Sequence, residues 1–368
     1  MTEKPIVLFY PYVTDLMRER VVETLKTRFI GQGPRVDEFE LKFSSMFCNG
    51  LSTAAVGAGT DALHLAYLLA GIEAGDEVIC PVFTCTATNI PLLYIGAKPV
   101  FADIQPGTLN IDTDHVRALI TDKTKAIVCV HYGGFPCDMD SLQKVADSAG
   151  IPIIEDAAHA IGAFYKGRSI GSISDFTMFS FQAIKSITTC DGGMLVMKDK
   201  WLLPNVKRLR WFGIDRVAKQ SSHWDNNIDE IGFKYQMTDV AASMGLAAIE
   251  EWDSTWKYRR SLFDAYKKGL DCTGVTFIGK NESDRVHAAW LCTISVDNRA
   301  GLQCKLAERG IESSQVHYRN DRYSIFKDSR GSFPNMDAID NKYLVLPMHM
   351  MMSVEDVEKI ISVIKSGW

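Results

Sequence analysis

The chain has 368 residues, 46% hydrophobic and 23% charged, the composition of a globular protein long enough for two domains. With 40 basic and 45 acidic side chains the net charge is -5, which argues against a broad nucleic-acid surface. Nine cysteines without a CxxC pair exclude a disulfide scaffold, and no apolar run reaches 18 residues. These features predict a cytoplasmic protein with no membrane partner and no metal.

Residues 13–28, VTDLMRERVVETLKTR, carry apolar positions at helical spacing. GQGPRV (31–36) reads as a turn, and VDEFELKFSSMF (36–47) resumes a helix. GAGTDALHLAYLLAGI (57–72) is a loop entering a helix. The strand GDEVICP (75–81), the loop and helix FTCTATNIPLLYIG (83–96) and the strand AKPVFADI (97–104) follow. A helix is predicted over 112–121, a buried strand in KAIVCVHYGG (125–134) and a helix in DMDSLQKVADSAG (138–150). IPIIEDAAHAIG (151–162), DFTMFSF (175–181) and GGMLVM (192–197) read as further strands. This alternation predicts an α/β fold with a large, mostly parallel, covered sheet. The expected domains are residues 1–245 and 246–368. The second begins with one long helix over 245–268 and continues as a smaller α/β unit. That unit holds a strand in VHAAWLCTISV (286–296), a helix in GLQCKLAERGI (301–311) and a terminal helix N-capped by Ser353.

Ligands of such sheets bind beyond the carboxyl ends of the strands, where Asp156, His159, Ser180 and Lys185 fall. Gly57 and Gly59 allow close backbone approach, and the helix opening at Thr60 and Asp61 offers free amides to a phosphate; an ordinary turn is the alternative. Asp156 ends an apolar strand, either as a cap or buried ion-pair partner, or facing a protonated ring nitrogen. Glu155 should point to the opposite face of that strand. Lys185 follows a strongly apolar strand. A lysine so placed can condense with an aldehyde and later move protons as a neutral amine. The run Lys207, Arg208 and Arg210 reads as a surface helix or a phosphate-facing edge.

Together FIGQGPRVDEFE, GAGTDALHLA, HYGGFPCDMDSL, IIEDAAHAIGA, FSFQAIKSITTCDGGML and GFKYQMTDVAASMGLAAIE resemble the DegT/DnrJ/EryC1/StrS family of sugar aminotransferases. The resemblance implies the fold of fold-type I pyridoxal 5'-phosphate (PLP) enzymes and a homodimer with shared active sites. It implies amino transfer from L-glutamate to a nucleotide-linked keto sugar, commonly a 4-keto-6-deoxyhexose, with PLP cycling through pyridoxamine 5'-phosphate (PMP). Carried onto this chain, Lys185 is the Schiff-base lysine and proton shuttle, Asp156 pairs with the pyridine nitrogen and His159 lies near the phenolic oxygen. Gly59, Thr60, Asp61 and Ser180 surround the phosphate, and Lys234 reaches a partner's phosphate. Cys85 stands where many relatives place an aromatic ring over the cofactor. His317, Tyr318, Arg319 and Asn320 in VHYRNDRYSIF are candidates for the sugar pocket or for a polar surface loop. Arg208, Arg210, Arg216 and Arg319 are candidates for the substrate diphosphate. A 3-keto sugar, a cyclitol ketone, a PLP dehydratase or a non-enzymatic regulator are the alternatives, the dehydratase disfavoured by Lys185.

Overall fold

The computed structural model describes residues 5–220, 227–271, 274–281 and 283–368. Its centre is a seven-stranded sheet in the order Ser52–Val56, Gly193–Met197, Phe176–Ser180, Ile153–Asp156, Thr124–Val130, Glu77–Pro81 and Lys98–Ala102. Only Gly193–Met197 runs antiparallel to its neighbours. Apolar side chains pack on both faces. Phe39, Phe43, Phe179 and Phe181 lie in one layer, and Leu63, Tyr67, Val128 and Met178 lie in the other. Burial on both faces accounts for strands that are apolar without alternation.

A second sheet of three antiparallel strands, Thr276–Phe277, Cys292–Ser295 and Tyr343–Leu346, packs with Leu262, Phe263 and Tyr266 and with the C-terminal helix Val354–Lys365. That helix opens on a capping box in which Ser353 and Asp356 satisfy each other's amides. No helix among the described residues is long and apolar enough to cross a membrane.

The long helix expected over 245–268 is two helices, Asp239–Glu250 and Trp252–Gly269. Glu251 leaves helical geometry at φ -97° and ψ 5°, and Trp252 turns into the core edge-to-face with Phe47, 5.0 Å between centroids. No glycine or proline marks the break. Burial of one indole outweighs continuation of the helix. The strand expected over 286–296 is split: Val286 ends the short strand Arg285–Val286, paired with Phe164, and Cys292–Ser295 resumes beyond Ala289, which sits at φ 56°. Within residues 151–162 only Ile153–Asp156 is strand, and the chain then turns through Ala158 and His159.

Candidate active site

The sheet gathers the strand-end residues into one place. Asp156 closes the strand Ile153–Asp156, Ser180 closes its neighbour Phe176–Ser180, and the Gly57–Thr60 loop follows Ser52–Val56. The last of these strands is separated from Ser180 only by Gly193–Met197. Gly193 permits the loop's approach: an added Cβ there would lie 2.5 Å from the Ala58 oxygen and 2.8 Å from the Gly59 nitrogen. At Gly59 an added Cβ would meet Ser180 Cβ and Met178 Sδ at 3.1 Å. The helix Gly59–Leu69 begins here without a side-chain cap, so its first amides point into the cradle beside the Ser180 hydroxyl. Asp61 lies in its first turn. Burial, reinforced by repulsion from Asp191, raises its carboxyl to about 7, against a backbone contact with Ala58 that lowers it.

Asp156 is buried. Its Oδ2 accepts from the Thr88 hydroxyl at 2.7 Å and its Oδ1 from the Ala158 amide at 3.0 Å. Among the described residues no cation forms an ion pair with it. Burial raises its pKa, with the Thr88 and Ala158 hydrogen bonds opposing. Glu155 does point the other way. It pairs with His131 at 2.8 Å and accepts from the Ser174 amide and the Thr177 hydroxyl. Burial disfavours charge on His131 while Cys137 and Glu155 favour it, and the Cys137 amide donates to His131 Nδ1 at 3.1 Å, which leaves the ring hydrogen on Nε2 toward Glu155. A buried hydrogen bond from His131 Nε2 to Glu155 therefore braces the back of the strand whose front carries Asp156.

Lys185 is half-buried, and its amine lies 3.8 Å from the centroid of the Trp290 ring. Burial lowers the amine to about 8; Asp156 and the Cys85 thiol oppose this and Arg259 adds to it. Cys85 is exposed and caps the helix Thr86–Tyr94. His159 stacks on Trp290 at 3.8 Å and on His317 at 5.2 Å. Burial and the nearby Lys185, His317 and His131 keep His159 far below its usual pKa. Its Nδ1 accepts from the Gly133 amide at 3.3 Å, so Nε2 carries the hydrogen. His317 is likewise held neutral, at about 3, by burial and by Lys185, and its Nε2 is buried without a hydrogen-bond partner among the described residues.

The remaining candidates divide. Asn320 is fully buried: its Nδ2 donates to the Thr84 and Tyr318 carbonyls, and its Oδ1 accepts from Asn89. It ties the 317–322 segment to the segment carrying Thr88. Arg319 is spent on Asp321 and Asp337. Arg210 is buried against Glu40 and the Ala55 carbonyl. Neither arginine is available to a diphosphate, because each is already neutralised by a carboxylate. Tyr318 is 40% exposed, with its hydroxyl accepting from Arg322 at 3.2 Å. Arg208 and Arg216 line a separate cavity of about 420 Å³ with Lys207 and Gln32, where Arg208 pairs with Glu230 and Arg216 donates to Gln32. Lys234 is exposed and rests 3.8 Å over the Trp211 ring. Thr88 and Trp290 belong to the site and were not anticipated. Their segments read only as a helix and a core strand, and nothing local marks either residue.

The DegT/DnrJ/EryC1/StrS aminotransferase family matches residues 11–365. GDP-perosamine synthase of Escherichia coli O157:H7 is 34% identical over 358 residues, covering 96% of each chain. The sugar aminotransferase CalS13 of Micromonospora echinospora superposes with a TM-score of 0.93 at 31% identity, covering 99% of this chain and 100% of its own. Spr1654 of Streptococcus pneumoniae, solved in PMP and PLP forms, superposes with a TM-score of 0.92 at 30% and 29% identity, covering 98% of each chain.

Proposed function

Because the chain belongs to the DegT/DnrJ/EryC1/StrS aminotransferase family and is a PLP-dependent sugar aminotransferase, we propose that it moves the amino group of L-glutamate to a nucleotide-linked 4-keto-6-deoxyhexose. One observation carries the site assignment. A half-buried amine at Lys185, lowered to about 8, lies near a buried carboxylate at Asp156 that lacks a cation of its own among the described residues. That pair, with an uncapped helix start next to a serine hydroxyl, fits an aldehyde, a ring nitrogen and a phosphate on one molecule.

When bound, PLP supplies the aldehyde and a ring that withdraws electrons from the carbon losing its proton. Asp156 holds the proton on the ring nitrogen, and Thr88 and Ala158 hold Asp156 in place. His159, with its hydrogen on Nε2, would donate to the phenolic oxygen. The Gly59 and Thr60 amides and the Ser180 hydroxyl would hold the phosphate, with Asp61 in the same cradle, and Cys85 would contribute its thiol to the cofactor site. Lys185 Nζ takes the α-proton of glutamate and, in the second half-reaction, delivers a proton to the sugar carbon that receives nitrogen. An amine near 8 is ready for both transfers at neutral pH. His317 and Tyr318 face the sugar, and Asn320 positions them through the Thr84 and Tyr318 carbonyls.

The same reading divides the chain at residue 245 and makes it a cytoplasmic homodimer in which Lys234 reaches the partner's phosphate. The exposed Lys234 amine, held over the Trp211 ring, supports that role. Product analysis over nucleotide-linked 3-keto and 4-keto sugars, with glutamate as donor, tests the substrate. Amination at C4 with release of 2-oxoglutarate is expected. Amination only at C3, or only of a cyclitol ketone, contradicts the assignment.

A further inference from the structure

Arg259, on the helix Trp252–Gly269, is only 6% exposed, and among the described residues no carboxylate pairs with it. Its Nε donates to the Ala289 carbonyl at 2.6 Å, and its Nη2 donates to the Trp290 and Met348 carbonyls at 2.8 and 3.1 Å. Burial lowers its pKa to about 10, so it stays charged at neutral pH. A buried charge held only by carbonyl dipoles is costly, and an apolar side chain of similar length would avoid the cost.

The three carbonyls show what the charge accomplishes. Ala289 is in the left-handed region, at φ 56°, which is unfavourable for a residue with a Cβ. Its amide is fixed by His287 Nδ1 at 2.8 Å, and the Trp290 and Leu291 amides both reach the Gly133 carbonyl. This turn brings successive carbonyls onto one guanidinium and sends the Trp290 ring into the active site. There its Nε1 donates to the Ile184 carbonyl at 3.3 Å, one residue before Lys185, and its ring lies against His159 and the Lys185 amine.

We propose that Arg259 is a positioning residue for Lys185: by gathering the carbonyls of Ala289, Trp290 and Met348 it sets the Trp290 indole as the seat on which the unattached Lys185 amine rests. The proposal rests on the reading of Lys185 as the cofactor lysine. Between half-reactions the released amine needs a fixed resting place close to the reacting carbon, and an aromatic face holds a cation without forming a hydrogen bond that must later be broken.

The test uses cofactor-free protein and the rate at which trinitrobenzenesulfonate modifies Lys185, followed by peptide mapping with surface lysines as the internal reference. Asp156, Cys85, His159 and His317 also face the amine and are left unaltered. Trp290→Leu removes the seat and should speed modification about two- to fivefold, while Trp290→Phe, which keeps an aromatic face, should restore most of the original rate. Arg259→Lys keeps the charge but cannot fork to three carbonyls, and should give the same rise as Trp290→Leu. The double variant should rise no further than either single one. An unchanged rate in folded Arg259→Lys, or a double variant showing the product of the two single effects, overturns the proposal. Trp290→Leu leaves Arg259 and its carbonyl partners in place, so an unchanged Lys185 rate there overturns it even where Arg259→Lys does not fold. Failure of PLP to protect Lys185 from the reagent in the unaltered protein would instead reject the cofactor-lysine assignment.

Discussion

Lys185→Ala should lose transamination by about 100- to 10,000-fold while remaining folded. In the proposed reaction this amine both releases the cofactor and carries the proton, and no neighbour is placed to substitute. His159 and His317 are neutral and lie within hydrogen-bonded or stacked positions on the Trp290 side. Removing the side chain deletes a desolvated amine, not a core contact, so circular dichroism and the elution volume on gel filtration should match the unaltered protein. Turnover near the original rate would remove Lys185 from its assigned role.

Asp156→Asn should separate activity from stability. The amide is isosteric, accepts from Ala158 and still meets the Thr88 hydroxyl, but cannot keep a ring nitrogen protonated. Activity should fall about 10- to 1,000-fold, the range by which a paired carboxylate alters a neighbour's protonation. Stability of the cofactor-free protein should move the opposite way. Burial raises the Asp156 pKa in the folded state, so folding takes up a proton there; the stability linked to this group is present at low pH and is lost as pH rises through the folded value. Asparagine does not titrate. Thermal melts of the two proteins should therefore converge in acid and diverge toward neutral pH, with the asparagine variant the more stable. An asparagine variant that melts lower at neutral pH than in acid, relative to the unaltered protein, would show that Asp156 is stabilised as an anion by something other than a cofactor.

Much of this site was legible because it is built from strand ends. Asp156, Ser180 and Lys185 each follow an apolar strand, and the topology of a covered parallel sheet brings such ends together whatever the loops do. The approach of Gly59 was legible for the same local reason, the absence of a Cβ. What escaped was set by partners distant in sequence. Thr88 matters because it touches Asp156, 68 residues away, and Trp290 because it meets His159 and Lys185. Arg319 and Arg210 look like free charges in the sequence. Their neutralising carboxylates, Asp337 and Glu40, are evident only after folding. The break at Glu251 follows from where one indole can be buried, which helical periodicity does not report.

A covalent link between PLP and the Lys185 amine is the premise of the proposed chemistry. Reconstituting the protein with PLP, reducing it with borohydride and mapping the peptides tests that link directly. A pyridoxyl group is expected on Lys185, abolished when glutamate is added before reduction. A label on another lysine, or none on a folded and reconstituted protein, would contradict it.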